Sequence, residues 1–222
     1  MSCSCHCEAT AEQFGPKSAR RDVDRYHRRG PDATTRRLID GLRAASDPNA
    51  SLLDIGGGIG VLHHELLEDT VDRVTHVDAS PAYMAAAREE DERRGRPGAV
   101  DYVLGDGADL SDTLDPADIV TLDRVICCYP DWRRLVRGSA SKARRLYAFS
   151  LPHDRWYLRF VVRLINLSRR LVGSAFRAFV HPVAAVDQRL EGRGFRQILV
   201  EGTFVWRVEI WEAGPGGAGR DV

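Results

Sequence analysis

Residues 51–60, Ser-Leu-Leu-Asp-Ile-Gly-Gly-Gly-Ile-Gly, constrain this chain more than any other stretch. Leu52, Leu53 and Ile55 predict a short strand buried on both faces. Glycines at 56, 58 and 60 let the backbone turn sharply and approach a ligand with no Cβ in the way. A helix is predicted from Val61 to Leu67, with its N-terminal N–H groups facing the same spot. Strand, tight turn and helix together form the unit from which α/β sheets build their sites. The dinucleotide fingerprint G-x-G-x-x-G asks for a glycine at position 61, which is Val61 here. The spacing is G-x-G-x-G instead.

Further strands and helices alternate after this unit. Val74 to Val77 predict a second strand ending at Asp78, whose carboxylate is able to accept two hydroxyl hydrogens. Ser80 and Pro81 then open a helix over residues 82–94, Ser80 as N-cap and Pro81 at the first helical position. A third strand, Val100 to Leu104, runs into Gly105-Asp106-Gly107, and a fourth, Asp118 to Leu122, ends at Asp123. With Asp54 two residues before the first glycine, this succession resembles the class I S-adenosylmethionine-dependent methyltransferases.

The resemblance implies S-adenosylmethionine as cofactor, held by Asp54, Gly56, Gly58, Gly60, Asp78, Ala79, Asp106, Gly107 and Asp123. In that family the residue at Asp78 holds the ribose hydroxyls and the one at Asp106 bonds the adenine amino group; Asp123 falls near the methionine part. The implied fold is a Rossmann-like, doubly wound α/β domain, with a seven-stranded, mostly parallel sheet whose last strand is antiparallel. Within the family, the bacterial subgroup similar to magnesium-protoporphyrin O-methyltransferases is approached through Leu53-Asp54-Ile55-Gly56-Gly57-Gly58, His76-Val77-Asp78-Ala79-Ser80 and the run Leu122 to Asp131. Such a likeness transfers fold and cofactor better than substrate.

A chain of 222 residues without a low-complexity linker suits one domain. Residues 1–45 read as an N-terminal arm and a helix, the arm lacking core character through about Arg29, with the helix from Ala33 to Ala45. The core spans 50–212, and 153–180 form a helical insert after the fifth strand, Arg145 to Ser150. A helix over 131–142, another over 181–191, and a closing hairpin of Arg196 to Val200 with Phe204 to Trp211 complete the pattern. Acidic and basic residues cancel at 32 each, which argues against a nucleic-acid partner. The polar, Cys-rich N-terminus has no signal-peptide pattern, and arginines interrupt the most apolar segment, so a cytoplasmic protein with reduced thiols is expected.

In the insert, Arg155, Arg159, Arg163, Asn166 and Arg170 share one helical stripe beside abundant apolar surface. Packing on the sheet edge, a substrate lid and a membrane-surface helix all fit that pattern. Methyl transfer needs alignment and exclusion of water, and a base only if the acceptor arrives protonated. Candidate bases are His153, directly after the fifth strand, then Tyr129 and His181. No Asn/Asp-Pro-Pro-aromatic box follows the fourth strand and no Asp-Asn pair follows the fifth, so neither an amino-group methylase of nucleic acid nor a catalytic metal is expected. Cys3, Cys5 and Cys7 have C-x-C spacing, a poor match to zinc sites, although with Cys127 and Cys128 they would suit a soft metal or metalloid. The expected activity is methyl transfer to a small-molecule acceptor, most readily at oxygen. The alternatives are a non-catalytic cofactor-binding protein and a thiol-assisted metalloid methyltransferase.

Overall fold

A computed structural model of the chain describes residues 5–96 and 98–214, with side chains from Glu8 onward. Three helices come first, α1 (Cys5–Gln13), α2 (Pro16–Arg29) and α3 (Ala33–Ala45). The alternating unit follows as β1 (Ala50–Ile55), α4 (Val61–Leu66), β2 (Val71–Asp78), α5 (Pro81–Arg93), β3 (Val100–Leu104) and β4 (Ala117–Asp123). A 3-10 turn at Ile126–Cys128 leads to α6 (Trp132–Ala140), β5 (Ala143–Pro152), α7 (Trp156–Leu171), α8 (Val183–Glu191), β6 (Phe195–Gly202) and β7 (Trp206–Ala213). The seven strands form one sheet in the order β3-β2-β1-β4-β5-β7-β6. β7 is antiparallel to both neighbours, whereas the pairs from β3 through to β5 are parallel, as the resemblance implied. The direction of the sheet reverses at β1 and β4, where open α/β sheets place their ligands beyond the strand ends.

Alternation along the central strands builds two cores, one on each face. Leu53 and Ile55 of β1, with Tyr147, Phe149 and Leu151 of β5, pack with α6 and α8 on one face. Leu52, Leu146 and Ala148 pack with Leu38, Ile39 and Leu42 of α3 on the other. Short polar side chains fix the helix starts: Ser80 Oγ accepts from Tyr83 N–H at 3.2 Å, and Asp131 accepts from Arg134 N–H at 3.2 Å. Asp32 caps α3 through the N–H groups of Thr34 and Thr35 at 3.0 and 3.3 Å.

Several boundaries differ from the sequence expectation. The hairpin turn takes in Phe204, whose ring is exposed, so β7 begins only at Trp206. The final core helix starts at Val183, because Pro182 occupies its N-cap with extended backbone. The segment read as an arm is helical. Ala19 and Tyr26 of α2 are buried with Ile59 and Tyr83, and Val23 packs beside them, a stripe of small and aromatic residues at helical spacing. α7 leaves most of its surface to solvent, with Leu158 its one buried residue. Among the described residues no helix is long and apolar enough to cross a membrane.

Candidate active site

The turn after β1 is shaped by what it must approach. Gly56 has φ 65°, and a Cβ there would lie 2.5 Å from Val125 Cγ2, so position 56 excludes any side chain on two counts. The N–H groups of Gly56 and Gly57 both donate to the Val77 carbonyl, at 2.7 and 3.3 Å, which ties the turn to the end of β2. One residue on, the Asp78 carboxylate accepts from Gly58 N–H at 2.9 Å and from Ser80 N–H at 2.7 Å. Burial raises its pKa to about 6 in spite of these donors. The result is an acidic group at the mouth of a glycine turn.

At the end of β4 the backbone is strained. Arg124 adopts φ 61°, unusual for a residue with a side chain. Its N–H donates to Ser150 Oγ at 2.9 Å, and Ser150 Oγ donates to Asp123 at 2.5 Å. The guanidinium reaches back to the Asp32 carboxylate and to Thr35 Oγ1 at 2.8 Å, while Thr35 Oγ1 donates to Asp123 at 2.6 Å. Hydrogen bonds and the charge of Arg124 hold the Asp32 carboxyl below its ordinary range against the opposing effect of burial. This network fastens the N-terminus of α3 to the strand end.

Between the two strand ends lies a cavity of about 240 Å³. Its floor is the glycine turn, and its roof comes from α1, α2 and the start of α3, with Thr10, Phe14, Asp22, Tyr26, Asp32 and Thr35 on the wall. Tyr83 Oη donates to Asp22 at 2.5 Å and Tyr26 Oη to Glu65 at 2.5 Å, so the roof is pinned to α5 and α4. Phe14 packs edge-on against both Tyr83 and Phe176, with ring centroids 5.5 Å apart in each case. The tail after α7 thus meets the roof.

Of the residues singled out from sequence, Asp54, Gly56, Gly58, Asp78, Ala79, Gly107, Asp123 and Tyr129 line this cavity. Gly60, Asp106, His153 and His181 do not. Gly60 caps α4 at φ 83°. Asp106 accepts from the Tyr129 hydroxyl and from Ala108 N–H at 2.8 Å. Burial and Asp106 push the Tyr129 phenol far above its ordinary range, which keeps its proton in place. His153 Nε2 lies 3.0 Å from the Thr203 carbonyl, and His181 Nε2 lies 2.9 Å from the Tyr129 carbonyl, so each ring nitrogen donates to backbone. Cys128 lines the cavity, its Sγ 3.9 Å from that of Cys127. The N-terminal thiols proposed to join them fall outside the described side chains.

Sequence reasoning missed the roof and the Asp32–Arg124 link. The roof's one signal was the spacing of Ala19, Val23 and Tyr26. Nothing local marked Asp32 and Arg124, 92 positions apart, as partners.

Residues 53–143 match the family described as a methyltransferase domain. The match covers a methyltransferase domain, so the activity is methyl transfer and S-adenosylmethionine is the cofactor, and the sheet has the Rossmann-like methyltransferase fold. It is similar to the magnesium protoporphyrin IX methyltransferase of Synechocystis PCC 6803, solved with bound SAH, at 18% identity over 94% of this chain and 100% of that one, with a TM-score of 0.71. An O-methyltransferase family protein from Burkholderia thailandensis gives 15% identity, 92% and 62% coverage and a TM-score of 0.68. An O-methyltransferase family 2 protein from Planctomyces limnophilus DSM 3776, in complex with apigenin, gives 19% identity, 90% and 62% coverage and 0.66. At these identities the likeness is one of fold. None of the curated proteins matches this sequence. The donors and acceptors present suit the cofactor: a buried carboxylate at Asp78 for hydroxyl groups and a side-chain-free turn at Gly56 for close approach.

Proposed function

We propose that the protein methylates a small-molecule acceptor at oxygen, and that the oxygen belongs to a carboxylate. S-adenosylmethionine, when bound, supplies a methyl group already activated by its sulfonium. The chain's own part is to hold the cofactor through Asp78 and the glycine turn, and to bring the acceptor into line under the α1–α3 roof, away from water. One observation carries the choice of carboxylate. Among the described residues no histidine lines the cavity, and the carboxylates on its wall already accept hydrogen bonds: Asp22 from Tyr83, Asp32 from Arg124, Asp54 from Thr121, Asp78 from backbone and Asp123 from Thr35. A carboxylate arrives ionised and needs no base. Arg25 and Arg124 stand on the same wall, paired with Asp22 and Asp32.

The structural neighbour that acts on magnesium protoporphyrin IX supports tetrapyrrole carboxylates as the first compounds to try. A hydroxyl acceptor with His153 as base is the second reading, motivated by the position of that ring one residue beyond β5. A cytoplasmic setting belongs to the same proposal. Incubation with methyl-labelled cofactor and a panel of tetrapyrrole and aromatic carboxylic acids tests it. A methyl ester releases its label as volatile methanol in alkali, whereas a methyl ether does not. Alkali-labile label is expected, and alkali-stable label would shift the proposal to a hydroxyl. On the carboxylate reading His153→Ala keeps kcat within about twofold, while a base role would lower it by roughly 10²–10⁴-fold.

A further inference from the structure

Against the glycine turn lies a polar cluster whose histidines cofactor binding does not account for. His63 at the start of α4, His76 on β2 and Asp54 on β1 are 0%, 0% and 1% exposed. His63 Nδ1 stands 3.4 Å from Asp54 Oδ2 and 3.3 Å from His76 Nδ1. One ring nitrogen carries either a proton or a lone pair, so it makes at most one straight hydrogen bond to these two neighbours. Two ligands held about 2.0–2.1 Å from a tetrahedral zinc ion lie about 3.3 Å apart, which is the spacing found here.

The surroundings are buried and polar as well. The Nε2 atoms of His63 and His76 are buried without a hydrogen-bond partner. His64 Nδ1 and Asp91 Oδ1 pair at 2.9 Å, and His64 Nε2 is buried without a hydrogen-bond partner. Two buried carboxylates, Asp54 and Asp91, therefore sit among three buried imidazoles, and no lysine or arginine among the described residues bonds to either. A divalent cation bound by Asp54 would neutralise that carboxylate. Thr121 Oγ1 donates to Asp54 Oδ1 at 2.7 Å and orients the carboxylate.

We propose that Asp54, His63 and His76 bind a divalent first-row metal ion of the zinc class, a structural ion that fixes the glycine turn. The ligand set, two imidazoles and a carboxylate, suits zinc. The glycines adjoin the ligands directly. A Cβ on Gly57 would lie 2.5 Å from Asp54 Oδ2 and 2.6 Å from His76 Nδ1, and one on Gly60 would lie 2.6 Å from the His63 ring. A site this enclosed takes up its ion as the chain folds. It differs in place and purpose from a catalytic metal, since the ion orders the turn without touching the acceptor.

The test uses the full chain without an affinity tag, expressed in zinc-supplemented medium, purified without chelator and analysed for metal by mass spectrometry. About one equivalent per chain is expected, released to a chromophoric chelator only on denaturation; less than about 0.1 equivalent in protein that binds S-adenosylmethionine would overturn the proposal. The N-terminal cysteines are the competing site. The triple variant Cys3→Ser, Cys5→Ser, Cys7→Ser should keep its zinc, and His76→Asn should lose it; the opposite pattern overturns the assignment. Should His76→Asn not fold, wild-type protein refolded with Co²⁺ decides. Visible ligand-field bands without near-ultraviolet thiolate charge transfer support the nitrogen and oxygen ligands, and a thiolate band excludes them.

Discussion

At the scale of single residues, Asp78 carries the most testable chemistry. Its folded pKa, about 6, is above the ordinary 3.8, so the free folded protein holds the proton more tightly than the unfolded chain does. That contribution to stability is complete below about pH 4 and is lost as pH rises through about 6. On the proposed role of Asp78 cofactor binding runs the other way, because ribose hydroxyls would need the carboxylate as acceptor. Calorimetry should find S-adenosylmethionine affinity about tenfold weaker at pH 5 than above pH 7. Asp78→Asn should flatten this profile. Asp78→Ala should weaken binding by ten- to a hundredfold or so, the loss of a charge-assisted acceptor worth about 1.5–3 kcal/mol. Unchanged affinity in both variants would remove Asp78 from the cofactor site. Asp78 was readable from sequence because it ends a strand of plain β pattern. The pairing of His63 with His76 was not, since it depends on which way α4 turns its first residues toward β2.

At the scale of elements, the strands were the legible part: β3 falls at 100–104 as expected, and the others differ only at their ends. Alternation and punctuation by Gly, Pro and Asp are local, and local signals survive without a structure. α2 was less legible because its apolar stripe is thin and its charges dominate; it becomes a roof only through Tyr83 and Ile59, far along the chain. Tyr83→Phe removes the hydrogen bond to Asp22 and should lower stability by about 1 kcal/mol, with cofactor affinity falling as the roof loosens. Calorimetric melting with and without S-adenosylmethionine separates the two effects. α7 offers the contrast. Leu164 and Leu171 are 50% and 79% exposed, so changing both to Glu should move stability by no more than about 0.5 kcal/mol per site. Leu158→Ala, at the buried contact, should cost about 2 kcal/mol or more. A large loss from the double Glu variant would mean that the outer face of α7 is covered in solution.

At the scale of the whole molecule, charge is balanced: 32 acidic and 32 basic residues give an isoelectric point near 7.1. Mutual repulsion between copies vanishes there, and the apolar outer face of α7 is then unopposed. Light scattering should show the strongest attraction between molecules near neutral pH, easing toward pH 5 and pH 9; attraction that stays constant with pH would assign it to the apolar face alone. The order of the sheet has a different bearing, on how the protein is made. β7 is the last of the seven strands to leave the ribosome, yet it lies between β5 and β6 and buries Val208, Ile210 and Trp211 completely or nearly so. Until it emerges, β6 has no neighbour to pair with and β5 keeps an open edge. A nascent chain halted before Trp206 therefore displays exposed strand edges for chaperones to shield, and translation must run almost to the end of the domain before the sheet closes.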